Sequence, residues 1–171
     1  MRSHPGGEAH TRRMLELAAL PAGASVLDMG AGAGEAVSLL RGMGYAAEGI
    51  DLKPRSPLVT RGDLLHTPYP DESFDAVLSQ CAFFVSGDPA GALREARRIL
   101  KPGGKLLLSD VLFDEPEPLL RSACFTLLHA EDMTALWREY YLEALWRDEA
   151  PCCEIPKRAC SYWLLVGRKE G

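Results

Sequence analysis

Gly30, Gly32 and Gly34 alternate with two alanines directly after an apolar run, Val26-Leu27-Asp28-Met29, and a helical pattern follows at once. Glycine tolerates positive φ and has no Cβ, so backbone there can turn tightly and lie against a ligand. A loop feeding a helix N-terminus also presents unpaired N–H groups. The stretch therefore predicts a backbone cradle for a cofactor, with Ala31 inside it. Acids stand at matching places: Asp28 in the apolar run, Asp51 21 residues after Gly30, and Asp63 beyond it. An acid closing the second strand of an open α/β sheet can accept hydrogen bonds from ribose hydroxyls of any adenosine cofactor.

The glycine spacing discriminates between cofactors. A dinucleotide fingerprint reads G-x-G-x-x-G and seats a pyrophosphate on the helix N-terminus. Here the pattern is G-x-G-x-G, and Glu35 takes the sixth position. A carboxylate at the head of that helix repels a pyrophosphate but accepts a ligand that carries its own cation. The chain has no G-x-x-x-x-G-K-[ST] element for a nucleoside triphosphate. The stretch reads as a seat for a cationic adenosine cofactor, and a nicotinamide dinucleotide is disfavoured. Asp28 has a second reading, as a cap for the loop amides.

Further candidates follow the fourth strand signal: Ser79, Gln80 and Cys81 at its end, then Phe83 and Phe84, which could wall a pocket or pack under the next helix. His10 and His66 are possible bases. Trp137, Tyr140 and Tyr141 lie on one helical stripe and read as core. Cys152, Cys153 and Cys160 could hold a soft ion or metalloid, although neighbouring side chains diverge in a strand; no metal is assigned.

These residues need elements to position them. Helix signals cover 8–20, 33–43 and 89–100, the last with Asp88 as N-cap and Pro89 at N1. Strand signals cover 25–29, 46–51, 58–61, 74–79 and 105–110. Two prolines, Pro54 and Pro57, allow one helical turn at most between the second and third strands. Strands alternating with helices or crossover-length loops predict a parallel sheet covered on both faces, a three-layer α/β sandwich. After Val111 the alternation stops. Leu119, Leu120, Ala123, Leu127 and Leu128 fit one helix face, Met133 to Leu145 another over 132–146, and 161–167 a final strand, expected to be antiparallel. A segment within 150–156 is expected to pair beside it.

Composition narrows the setting. The chain has 171 residues, 47% hydrophobic, with a net charge of −5, as expected for one globular domain. No basic cluster favours nucleic acid, no apolar run is long enough to span a membrane, and the N-terminal residues lack the apolar core of a secretory signal. Reduced cysteines and a cytoplasmic location are the expectation.

In this order the motifs resemble the class I S-adenosylmethionine-dependent methyltransferases, of the small-molecule type known as methyltransferase domain 11 or 25. Val26–Gly34 is similar to the cofactor-binding motif and Gly49-Ile50-Asp51 to the ribose-binding acid. Gly62-Asp63-Leu64, with Pro70 to Val77, is similar to the adenine-side motif and fourth strand, and Ala92 to Gly104 to the helix and turn before the fifth. The match runs unbroken over about 8–112. The resemblance implies a Rossmann-like fold and S-adenosylmethionine as cofactor, leaving S-adenosylhomocysteine. Gly30, Gly32 and Gly34 would pack on its methionine part and Asp51, beside Leu52, would bind its ribose. Asp63 and Leu64 would meet the adenine, and Ser79 to Ala82 would form the floor near the sulfonium. It implies one domain: 1–7 flexible, 8–112 holding the cofactor, and 113–171 a shortened acceptor side. The expected reaction is methyl transfer to a small-molecule acceptor; the alternative is a non-catalytic module that senses the cofactor or docks a partner. His4-Pro5-Gly6-Gly7 with Thr11-Arg12-Arg13, and the cysteine after the fourth strand, are similar to a bacterial subgroup with selenium-linked gene neighbourhoods.

Overall fold

A computed structural model of the chain describes residues 4–148 and 156–171. Among these residues seven strands form one sheet in the order β3-β2-β1-β4-β5-β7-β6. The strands are β1 Ser25–Met29, β2 Ala46–Asp51, β3 Thr60–Arg61, β4 Phe74–Gln80, β5 Leu100–Leu112, β6 Phe125–Asp132 and β7 Ser161–Lys169. Among the described strands β7 alone runs opposite to the rest, pairing antiparallel with β5 and β6. The helices are α1 Gly7–Ala18, α2 Glu35–Gly42, α3 Pro89–Ile99, α4 Pro116–Ser122 and α5 Thr134–Trp146.

The period of two along each strand builds the layers. Leu27, Val77 and Leu106 face one side, where α3 supplies Leu93, Ala96 and Ile99 and α4 supplies Leu120. Val26, Ala76, Leu78 and Leu107 face the other, against Met14 and Leu15 of α1 and Val37 and Leu40 of α2. Trp137, Tyr140 and Tyr141 of α5 pack with Tyr162 and Val111 at the carboxyl end of β5, as the stripe predicts. Strand order reverses between β1 and β4, and ligands collect at such a switch point in open α/β sheets.

The expected single helix face over 119–128 is wrong. Cys124, at φ 57, turns the chain into the left-handed region, which ends α4 and starts β6. Leu120 and Phe125 are both buried in the core above α3, and Leu119, Ala123 and Leu127 pack against it. Two short elements folding onto one core thus produce spacings that imitate one helix. Leu128 is exposed. The helix expected over 132–146 is present as α5. The strand beside β7 is β6; the segment expected to pair within 150–156 lies outside the described residues, except Pro156, as do Cys152 and Cys153.

Candidate cofactor site

The loop after β1 is held by its own hydrogen bonds. Gly30 and Ala31 both donate to the Ile50 carbonyl, at 2.9 Å each, and Gly34 donates to the Ala31 carbonyl at 2.7 Å. Gly32 donates to Asp51 Oδ2 at 2.9 Å. Four of the five loop amides are therefore spent inside the protein, against the expectation of free donors. The glycines serve close approach instead. A Cβ on Gly30 would lie 2.2 Å from the Ala82 Cβ, and one on Gly34 would crowd Leu58, Ser56 and Val59 at 3.1 Å; all three glycines have positive φ.

This packing leaves a cavity of about 410 Å³ along the carboxyl edge of β1, β2 and β4. Asp51, Leu52, Asp63, Leu64, Gln80 and Cys81 line it together with Gly30 and Gly32. Asp51 Oδ1 accepts the Lys53 N–H at 2.8 Å, and Asp63 Oδ1 accepts the Leu65 N–H at 2.8 Å, which fixes both carboxylates against the backbone. A second, smaller cavity of about 60 Å³ adjoins it through Gly30, Gly32, Arg55 and Gln80. Asp28, Ala31, Glu35 and His4 line this one.

Asp28 is the unusual group. It is 4% exposed, and its carboxyl has no hydrogen bond or ion pair among the described residues, so it caps no loop amide. Burial, and then the neighbouring Asp51 charge, push it up to about 7. An unpartnered buried carboxyl facing a polar cavity suits a cationic group.

Four expected site residues are placed elsewhere, and one of them, Gly34, lines neither cavity. Ser79 is fully buried and donates to the Met29 carbonyl at 2.8 Å, tying β4 to β1 rather than reaching the cavity. Phe83 packs in the core above α3. Phe84 makes an edge-on contact with Phe113 at 5.6 Å. The backbone amides of Phe83 and Phe84 donate to Asp110 Oδ2 at 2.9 and 3.1 Å, so Asp110 shapes this loop. Neither histidine offered as a base reaches the cavities. His10 is buried, bonded to Ser109 Oγ at 2.7 Å, and burial lowers it to about 4. His66 is a surface residue beside Asp63. Cys160 lies near α5, and no cluster of three or more His, Cys, Asp or Glu suited to a metal exists among the described residues.

The family described as methyltransferase domain matches residues 27–108, the span that carries this edge. That span holds the motifs that resemble the class I S-adenosylmethionine-dependent methyltransferases. It is 35% identical over 119 residues to a demethylmenaquinone methyltransferase of Tropheryma whipplei, covering 60% of this chain and 48% of that one. The chain spans about half the length of the curated relatives it matches first. Its fold is shared with a Haemonchus contortus phosphoethanolamine N-methyltransferase bound to S-adenosylhomocysteine: TM-score 0.76, 18% identity, 98% of this chain and 54% of that one. The [4+2]-cyclase SpnF shares it too: TM-score 0.72, 24% identity, 94% of this chain and 79% of that one.

The residues fit the cofactor of this family. A carboxyl without a partner faces the small cavity, and a side chain at Gly30 or Gly32 would collide with Ala82 or Arg55. Sequence reasoning missed Arg55, Val85 and Ser86, which also line the larger cavity. Arg55 sits in a proline-rich stretch whose path no periodicity predicts.

Proposed function

We propose that the chain transfers a methyl group from S-adenosylmethionine to a small-molecule acceptor. The observation that carries this is Asp28, a buried, unpartnered carboxyl beside a glycine loop whose amides at Gly30, Ala31, Gly32 and Gly34 already donate within the protein and so are not free to seat a pyrophosphate. In this reading Asp28 holds the cofactor's α-ammonium, with Gly30, Ala31 and Gly32 closing around the methionine part and Gly34 packed behind them against Leu58 and Val59. Asp51 accepts from the ribose hydroxyls, and Leu52, Asp63 and Leu64 border the adenine. Gln80 and Cys81 form the floor where the acceptor meets the methyl group. Residues 8–112 hold the cofactor and residues 113–171 form a shortened acceptor side.

The sulfonium supplies an activated methyl group with a neutral thioether as leaving group. The protein's share is to fix the in-line approach and exclude water. A base enters only for an acceptor that must lose a proton. Relatives named for demethylmenaquinone and arsenite methylation act on small molecules, which supports an acceptor of that class here.

Titration calorimetry with S-adenosylmethionine and S-adenosylhomocysteine tests the reading, followed by methyl transfer to a panel of quinol, thiol, amine and arsenite acceptors. Binding with transfer to a panel member is expected. No binding of either nucleoside would overturn the cofactor assignment; binding with no transfer across the panel would favour a sensing or docking module.

A further inference from the structure

S-Adenosylmethionine carries two cationic groups and one carboxylate. The site is rich in acids that meet the cations: Asp28, Glu35, Asp51 and Asp63 line the two cavities. The carboxylate has fewer options. The loop amides of Gly30, Ala31, Gly32 and Gly34 donate within the protein, and a carboxylate among four acids is repelled unless a cation screens it. Arg55 is the one lysine or arginine among the described residues lining either cavity, and it lines both.

Its geometry is specific. The Arg55 N–H donates to the Gly32 carbonyl at 3.0 Å, which pins the residue to the glycine loop. Its guanidinium lies across Gly32, with Nη2 2.6 Å from where a Cβ would stand. Glycine at 32 therefore makes room for the arginine. Among the described residues the guanidinium has no hydrogen bond or ion pair, although Asp51 is a fellow lining residue. A guanidinium presents a planar fork of donors that matches a carboxylate in two bonds.

Resting on the proposed function, we infer that Arg55 is the residue that recognises the carboxylate of the cofactor's methionine tail. It thereby selects S-adenosylmethionine and S-adenosylhomocysteine over adenosyl thioethers and sulfoniums that lack this group. Pro54 and Pro57 on either side restrict the backbone of the arm that carries it.

Calorimetry on wild type, Arg55→Ala and Arg55→Lys with three ligands decides this. The ligands are S-adenosylhomocysteine, decarboxylated S-adenosylmethionine and 5′-methylthioadenosine. Arg55→Ala should weaken S-adenosylhomocysteine about tenfold to hundredfold and leave the two carboxylate-free ligands within about twofold. Arg55→Lys should recover part of the loss, because it restores charge without the fork. Equal weakening of all three ligands, or unchanged S-adenosylhomocysteine binding, would overturn the assignment while leaving the proposed function standing. Wild type that binds none of the three would overturn both. Unchanged melting temperatures of the unliganded variants serve as the folding control.

Discussion

At the scale of single residues, the role proposed for Asp28 would couple cofactor binding to pH. Its folded value is about 7 against an ordinary 3.8, so the folded protein retains a proton that the unfolded chain loses. This raised value adds stability that is fully present below about 3.8 and is lost as pH rises through about 7. A cation beside Asp28 favours its ionised form, so cofactor binding should release a proton below neutrality. Affinity for S-adenosylmethionine, measured by calorimetry from pH 6 to 8.5, should rise through about pH 7 and then level. Asp28→Asn should flatten that profile and weaken binding about tenfold or more, while raising the melting temperature at pH 8 by a few degrees. A profile that keeps its midpoint in the variant would show that another group is responsible. Gly30 offers a steric test. Gly30→Ala must place a Cβ on Ala82 at φ 89, and should cost about 2–4 kcal/mol in urea unfolding from strain and collision together.

At the scale of elements, the turn at Cys124 separates α4 from β6. A left-handed residue with a side chain is strained, and glycine relieves it. Cys124→Gly should therefore be neutral or stabilising by up to about 1 kcal/mol, and Cys124→Val should destabilise by about 1–2 kcal/mol. Denaturant midpoints of the two variants report this directly. The opposite order would contradict the left-handed turn. The loop after β4 depends on a different device. Asp110, in β5, accepts the amides of Phe83 and Phe84, so a buried carboxylate in one strand sets the path of residues after its neighbour. This explains why Phe83 and Phe84, which stand one and two residues past Ala82, do not enter the cavity that Ala82 lines. Residue type at those positions suited a pocket wall; the backbone direction imposed by Asp110 turned both rings elsewhere.

At the scale of the whole molecule, the cofactor site ties several elements together: β1, β2, β4 and the segments after them. A ligand that fills it should stabilise the fold by mass action. At about a hundredfold excess of S-adenosylhomocysteine over its dissociation constant the gain is about 2.7 kcal/mol, a melting-temperature rise of about 5–10 °C when spread over a domain of this size. Differential scanning calorimetry with and without the ligand measures it, and a shift under 1 °C at saturation would count against a site that bridges the sheet.

The sequence alone determined the α/β class, the bounds of β1 and β2, α5 and the acids Asp28, Asp51 and Asp63, because these rest on local signals. Apolar periodicity, glycine spacing and capping residues act within a few positions of one another. Tertiary structure decided what the same residues do. Which amides are free depends on Ile50 and Asp51, which lie about 20 residues from the loop. Whether Asp28 has a partner depends on which side chains converge at the switch point. Arg55 enters the site because proline-rich backbone folds it across Gly32. And 116–132 became a helix and a strand because α3 and β7 offered one core and one open edge for two short elements, a choice that no local spacing records.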